Sequence, residues 1–181
     1  ICFGVLPHIP IDQDGRVLAN LTASVKSGGT VMVEARNELF ALFSLNRYSR
    51  DFFLKRLIGE EDLRSDVTPE ETAGLDSSIE ELNKRFRVDL PPVRTGKLNE
   101  PGYDEILSRT HNPFEMKDLA EASGLVDVEI LFYHYHALPP MLEPLLPQTF
   151  RRRSLALESS RDWRGHFLAS AFILKGRKAD L

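Results

Sequence analysis

"SVKSGGTVMVEARNELF", residues 24–40, sets two adjacent glycines between a helix-like segment and a run of β-branched residues. Two readings compete: a glycine cradle for a phosphate, or a turn into a strand. A cradle follows a strand and opens a helix toward its anion. Gly28 and Gly29 instead follow a helical pattern and precede the apolar run "TVMVEA", residues 30–35, so they stop a helix after Lys26 and feed the chain into a buried strand. Neither a G-x-G-x-x-G run nor a P-loop occurs among the glycines, and the G-x-S-x-G elbow of serine hydrolases is absent as well.

Upstream of that stretch, "ICFGVL", residues 1–6, reads as a short, fully apolar strand of the kind covered by helices on both faces. Asp12 or Asp14 can cap a helix in which Val17, Leu18, Leu21 and Val25 recur at helical spacing. The opening third is therefore strand, helix, strand, and the handedness rule makes it a crossover between parallel strands. In such sheets the ligand crevice lies beyond the carboxyl ends of the strands, here after Leu6 and after Glu34.

Downstream, residues 37–58 are helical and rich in phenylalanine, with a break near Asn46 and a new cap at Ser49. Residues 60–81 are acidic and carry two capping signatures, "TPEE" from Thr68 and "SSIE" around Ser77, which predict short exposed helices. Residues 90–102 read as a loop by their proline and glycine content. In "NPFEMKDLAEASGL", Asn112 is a cap, Pro113 the first helical residue, Glu115 the partner in a capping box and Gly124 the stop. "VDVEILFYHYHAL" then alternates, with Val126, Val128, Ile130 and Phe132 on one face continued by His134 and His136. "HFLASAFILKGRK" is the last strand.

The chain has 181 residues, enough for one domain with a real core, and a net charge of −4 gives no electrostatic reason to expect nucleic acid or an anionic membrane. Its single cysteine, Cys2, excludes an internal disulfide and fits a reducing cytoplasm. No apolar run spans a bilayer. The chain opens directly in an apolar stretch, as the middle of a fold would.

Few residues carry chemistry. His8 follows the first strand at the crevice end, where it reads either as a general base or substrate donor, or as a surface histidine. Arg36 can pair a carboxylate or phosphate bidentately, and Asn37 reads as a substrate contact or a helix cap. His134 and His136 have a spacing that two metal ligands can use, but no third ligand lies near them; substrate contact and plain packing are the other readings, and no metal site is expected. Trp163 before Gly165 lines a pocket or plugs the end of the sheet. "RRR", residues 151–153, reads as a solvated basic patch.

In order and motif the chain resembles the C-terminal half of a class I S-adenosylmethionine-dependent methyltransferase. The resemblance rests on "ICFGVLPHI" as the fourth strand with its histidine, "KSGGTVMVE" as the fifth, "LAEASGLVDVEI" as helix and sixth strand, and "FLASAFILKGRK" as a closing antiparallel seventh. It implies an α/β, Rossmann-like, mostly parallel sheet with strands equivalent to 4-5-7-6, the C-terminal part of a single methyltransferase domain over residues 1–181, and a helical insertion or lid at residues 38–110 within it. It further implies S-adenosyl-L-methionine as cofactor, with Gly4, Val5 and Leu6 bordering its methionine end. His8 would be the catalytic residue facing a small-molecule acceptor, and Arg36, Asn37, His134, His136 and Trp163 would shape the acceptor side. The family's glycine-rich loop and its ribose-binding acid have no counterpart, so the resemblance implies an enzyme seen without its main cofactor-binding half. The alternative is a catalytically inactive methyltransferase-like module. In either case a protein partner or the missing half would cover the edge strand 1–6.

Overall fold

The computed structural model describes residues 1–89, 107–159 and 161–180. A three-stranded sheet organises a small α/β fold: β1 (Thr30–Arg36), β2 (Leu125–Tyr135) and β3 (Ala169–Lys178), in the order β1-β3-β2. Around it lie α1 (Asp14–Ser24), α2 (Ala41–Ser44), α3 (Arg47–Asp51), α4 (Glu60–Asp66), α5 (Thr72–Asn83), α6 (Pro113–Ala122), α7 (Pro147–Leu157) and α8 (Gly165–Leu168).

β3 runs antiparallel to both neighbours, so both ladders of this sheet are antiparallel. That corrects the expected Rossmann-like, mostly parallel sheet. The reason is legible in β1 itself. Val31, Val33 and Ala35 are buried, whereas Met32, Glu34 and Arg36 on the opposite face are only half-buried. Period-two alternation belongs to a sheet with one covered face; a parallel strand between two helix layers is buried throughout.

The expected strand at residues 1–6 is also corrected. Only Cys2 pairs, in parallel with Val33: its amide donates to Met32 O at 2.8 Å, and Glu34 N donates to Cys2 O at 2.9 Å. Gly4 then turns at φ +70°, and Leu6–His8 close a 3₁₀ turn. Pro7 in that turn has no amide to give to a ladder.

The core follows the ladder register. Val33 opposes Leu174, which opposes Ile130, and Ala35 opposes Phe172, which opposes Phe132. These rungs pack with Leu6, Leu18, Met116, Ala120 and Leu125 into one cluster, so α1 and α6 cover the same face of the sheet. Burying each large side chain stabilises the fold by roughly 1.5–3 kcal/mol.

Caps decide the helix ends. Asn112 Oδ1 accepts from Phe114 N at 3.0 Å, and Pro113 opens α6 where a missing amide costs nothing. Glu115 does not close a capping box; it reaches Arg56 instead. Asn46 and Ser49 form a reciprocal capping box at α3, after Leu45 breaks the chain at φ +55°. Thr68 and Glu71 do pair, ahead of α5. Ser77 and Ser78 start nothing: they lie inside α5 and donate to Ala73 O and Gly74 O. α1 ends at Ser24, earlier than the glycines, and its N-cap Gln13 makes no side-chain cap bond. The loop expected at residues 90–102 lies outside the described residues, as does part of the helical insertion.

Candidate functional site

The carboxyl end of β1 brings several polar side chains together, Asn37 buried among them. On the half-covered face, Glu34 accepts from Gly4 N at 2.7 Å and from the Tyr133 hydroxyl on β2. Burial, then the Glu34 carboxylate, pushes the Tyr133 phenol up, so it stays a neutral donor. Arg36 donates to the Ser108 hydroxyl.

Asn37 is almost wholly consumed by structure. Its Nδ2 donates to His166 O at 2.7 Å and Ala169 O at 2.8 Å, while its Oδ1 accepts from Leu39 N at 3.1 Å. Through those bonds the end of β1 is clamped to α8 and to the start of β3. The cap role is the one its geometry serves.

A cavity of about 350 Å³ opens beside these residues, lined by Arg36, Phe40, Tyr48, Lys55, Arg56 and Ser170 among others. Residues 38–58, folded as a 3₁₀ turn, α2, α3 and a π-helical stretch at Phe52–Ile58, form its outer wall. Arg56 reaches back from that wall. It meets Glu38 Oε1 at 3.1 Å and Glu115 Oε1 at 2.6 Å, tying the wall to the start of α6. Burial pushes the Glu38 carboxyl up, against the opposing pull of Arg56.

Next to it lies a second cavity of about 260 Å³, sharing Glu38, Arg56 and Thr110 with the first and lined further by Asp14, Arg109 and His111. Arg109 donates to Asp14 Oδ1 at 2.6 Å and to Ile9 O at 2.6 Å. His111 is buried; its Nε2 stands 3.6 Å from Asp14 Oδ2. Desolvation holds the imidazole down at about 4, against the raising effect of Asp14 and with help from Arg109, so the ring is neutral near pH 7.

The other sequence candidates scatter. His8 sits exposed in its 3₁₀ turn, and its Nδ1 donates to Leu107 O at 2.6 Å. Leu6 is in the core, Val5 is half-exposed, and Gly4 has nothing within 4 Å of where a side chain would project. His134, at φ +59°, breaks the alternation of β2 and faces solvent. His136 follows β2, wedged between Phe40 at 4.8 Å and Phe150 at 5.6 Å, and burial lowers its pKa to about 4. It backs the cavity wall rather than lining it. Trp163 is 70% exposed and meets only Phe167, edge to face at 6.2 Å, among the ring contacts. The structure thus brings Arg36 and Asn37 together at one cavity and leaves His8, His134 and Trp163 elsewhere.

Sequence reasoning missed Glu38, Arg56, Asp14, Arg109 and His111. One local signal existed for His111: it immediately precedes the Asn112 cap and is therefore anchored by the most clearly marked helix in the chain. Nothing local tied it to Asp14. Among the described residues, no group of three His, Cys, Asp or Glu could hold a metal ion, and no helix is long and apolar enough to cross a membrane. The chain matches no protein-family model, and no curated protein is significantly similar to it.

Proposed function

We propose that the chain forms the acceptor side of a small-molecule methyltransferase that takes S-adenosyl-L-methionine as donor, in the cytoplasm to which the single Cys2 points. The observation that supports this reading is the 350 Å³ cavity at the carboxyl end of β1, beside the Arg36 and Asn37 that the resemblance assigns to the acceptor, with residues 38–58 as its wall. Its mixed lining suits a ligand with an apolar body and a few polar groups: Phe40 and Tyr48 supply surface, and Arg36, Lys55 and Ser170 supply donors.

The described residues do not by themselves fit the donor. Gly4's amide is already given to Glu34 and Leu6 is sealed in the core, so of these three residues only Val5 and the Gly4 backbone offer surface. What this chain contributes is positioning: holding an acceptor against a fixed wall removes most of the entropic barrier to an in-line displacement. The test is label transfer from methyl-tritiated S-adenosylmethionine to the small-molecule fraction of the source cell's extract. Transfer that is lost on Arg36→Ala is the expected result; no labelled small molecule with the unaltered protein overturns the reading.

A second reading, a non-catalytic module that docks a protein partner, has one specific support. Ile1, Phe3 and Val5, around the single bridge that Cys2 makes to β1, are 86%, 46% and 44% exposed. Apolar edge surface of that kind is normally covered. Ile1→Ser/Phe3→Ser should then release a co-purifying partner in size-exclusion chromatography, whereas an unaltered elution volume would remove this reading.

A further inference from the structure

Charge is unevenly placed along this chain. Residues 60–81 hold nine acids and one base, whereas residues 144–157 hold three arginines and no acid. Those three, Arg151, Arg152 and Arg153, lie in the middle of α7 and are exposed. Among the described residues none of them makes a hydrogen bond or an ion pair. Arginines elsewhere are matched: Arg50, Arg56, Arg64, Arg109, Arg164 and Arg177 each meet a carboxylate.

The helix has a fixed inner face. Phe150 and Ser154 are buried; Phe150 packs edge-on against His136 at 5.6 Å, and Ser154 Oγ accepts from Ala137 N at 3.0 Å. At 3.6 residues per turn this turns Arg151, Arg152 and Leu155 to the outer side, with Leu155 one turn from both arginines and 61% exposed. The chain enters α7 through Leu145 and Leu146, which are 74% and 48% exposed. Of the acids nearest in sequence, Glu158 is turned back to accept from Tyr135 N at 3.0 Å, and Glu143 lies in the 3₁₀ turn before Leu146. Arginines and leucines interleaved on one convex helix face suit a layer of anionic headgroups over hydrocarbon. The one aromatic residue of α7, Phe150, is buried, so the outer face offers nothing on which a nucleic-acid base could stack.

We propose that the outer face of α7 rests on an anionic phospholipid surface, with Arg151, Arg152 and Arg153 on the headgroups and Leu145, Leu146 and Leu155 entering the boundary beneath them. Screening confines each charge to a reach of about 8 Å at physiological salt, so the local arginines rather than the net charge of −4 set the attraction. The contact is peripheral, since the 11 residues of α7 are too few to cross a bilayer. It lies on a different element from the acceptor cavity and does not depend on methyl transfer.

The test is co-sedimentation of the full chain with vesicles of phosphatidylcholine containing about one third phosphatidylserine, set against vesicles of phosphatidylcholine alone. The expected result is saturable binding to the first and not to the second, weakened by high salt and by about fivefold for each arginine removed in Arg151→Gln and Arg151→Gln/Arg152→Gln. Leu145→Ser/Leu155→Ser should weaken it by about fivefold or more. All four positions are exposed, so each variant should keep the unaltered chain's denaturant midpoint. No binding to the anionic vesicles, or equal binding to both kinds, overturns the inference. Binding that survives the arginine variants places the contact on another surface and overturns it too, and binding indifferent to the leucine variant removes the insertion it requires. Arginine-dependent binding to a DNA duplex without binding to vesicles would give the helix to nucleic acid instead. Label transfer reads the methyltransferase proposal independently, so the two can fail separately.

Discussion

The two ends of β1 are built on opposite plans. At the amino end the backbone closes on itself: Gly28 N donates to Lys178 O at 3.1 Å, Lys178 N donates to Gly29 O at 2.8 Å, and Lys178 Nζ reaches Val25 O at 2.9 Å. Gly28 holds φ +72°, and a side chain on Gly29 would stand 2.8 Å from Lys26 O. At the carboxyl end the backbone is equally well paired, but Arg36, Asn37 and Glu38 project beside two cavities, with buried atoms left over at Glu38 and His111. The strand is a fixed rod whose one end closes the fold and whose other end presents polar groups beside two cavities.

The largest way to break that contrast is to remove what both ends share. Leu174 is fully buried opposite Val33 and Ile130, so Leu174→Ala should cost about 2–5 kcal/mol in denaturant unfolding; a loss below that range would mean the sheet is not the common support. Next comes the carboxyl end alone. Asp14→Ala strands the Arg109 guanidinium in a largely buried place and should cost about 3 kcal/mol, with a perturbed His111 ring signal as the local readout.

At the amino end, Gly29→Ala forces backbone to move and should cost about 1–3 kcal/mol while leaving the His111 ring signal at the carboxyl end unchanged. A shifted His111 signal in that variant would show that the two ends are coupled. Acid titration separates them further. His111 and His136 both titrate near 4 when folded and near 6.5 when unfolded, so the unfolded chain binds protons first; stability should be level above about pH 6.5, fall as pH drops toward 4, and level off again for these two groups. His111→Asn should flatten part of that slope, and His136→Asn another part, in pH-dependent unfolding curves. The smallest effect belongs to Lys55→Ala at the mouth of the first cavity. Its side chain is 73% exposed, so stability should change by less than about 0.5 kcal/mol while label transfer falls.

Local features were readable in advance where the deciding atoms lie within one turn of chain. Asn112 with Pro113 fixed the start of α6, and Asn46 with Ser49 fixed the start of α3, because a cap involves groups only two or three residues apart. The same rule misread Ser77: its hydroxyl bonds back to Ala73, a choice equally open to a serine inside a helix. Treating "TVMVEA" as uniformly apolar missed its alternation and so suggested a parallel sheet. His134 and His136 were placed on one face by counting, but a single residue at positive φ ends that count.

The sequence by itself determined the strand after the glycine turn, a strand following Gly124, the capped helix between Asn112 and Gly124, and the absence of a glycine cradle, since each depends on periodicity or on neighbours a few residues away. Only the tertiary structure decided that β3 lies between β1 and β2, antiparallel to both. It also decided that Asp14 meets Arg109 across 95 residues and that Asn37 clamps Ala169 across 132. Those contacts are chosen by which surfaces the whole chain can bury together, and no local pattern records which polar atoms that burial leaves without a partner.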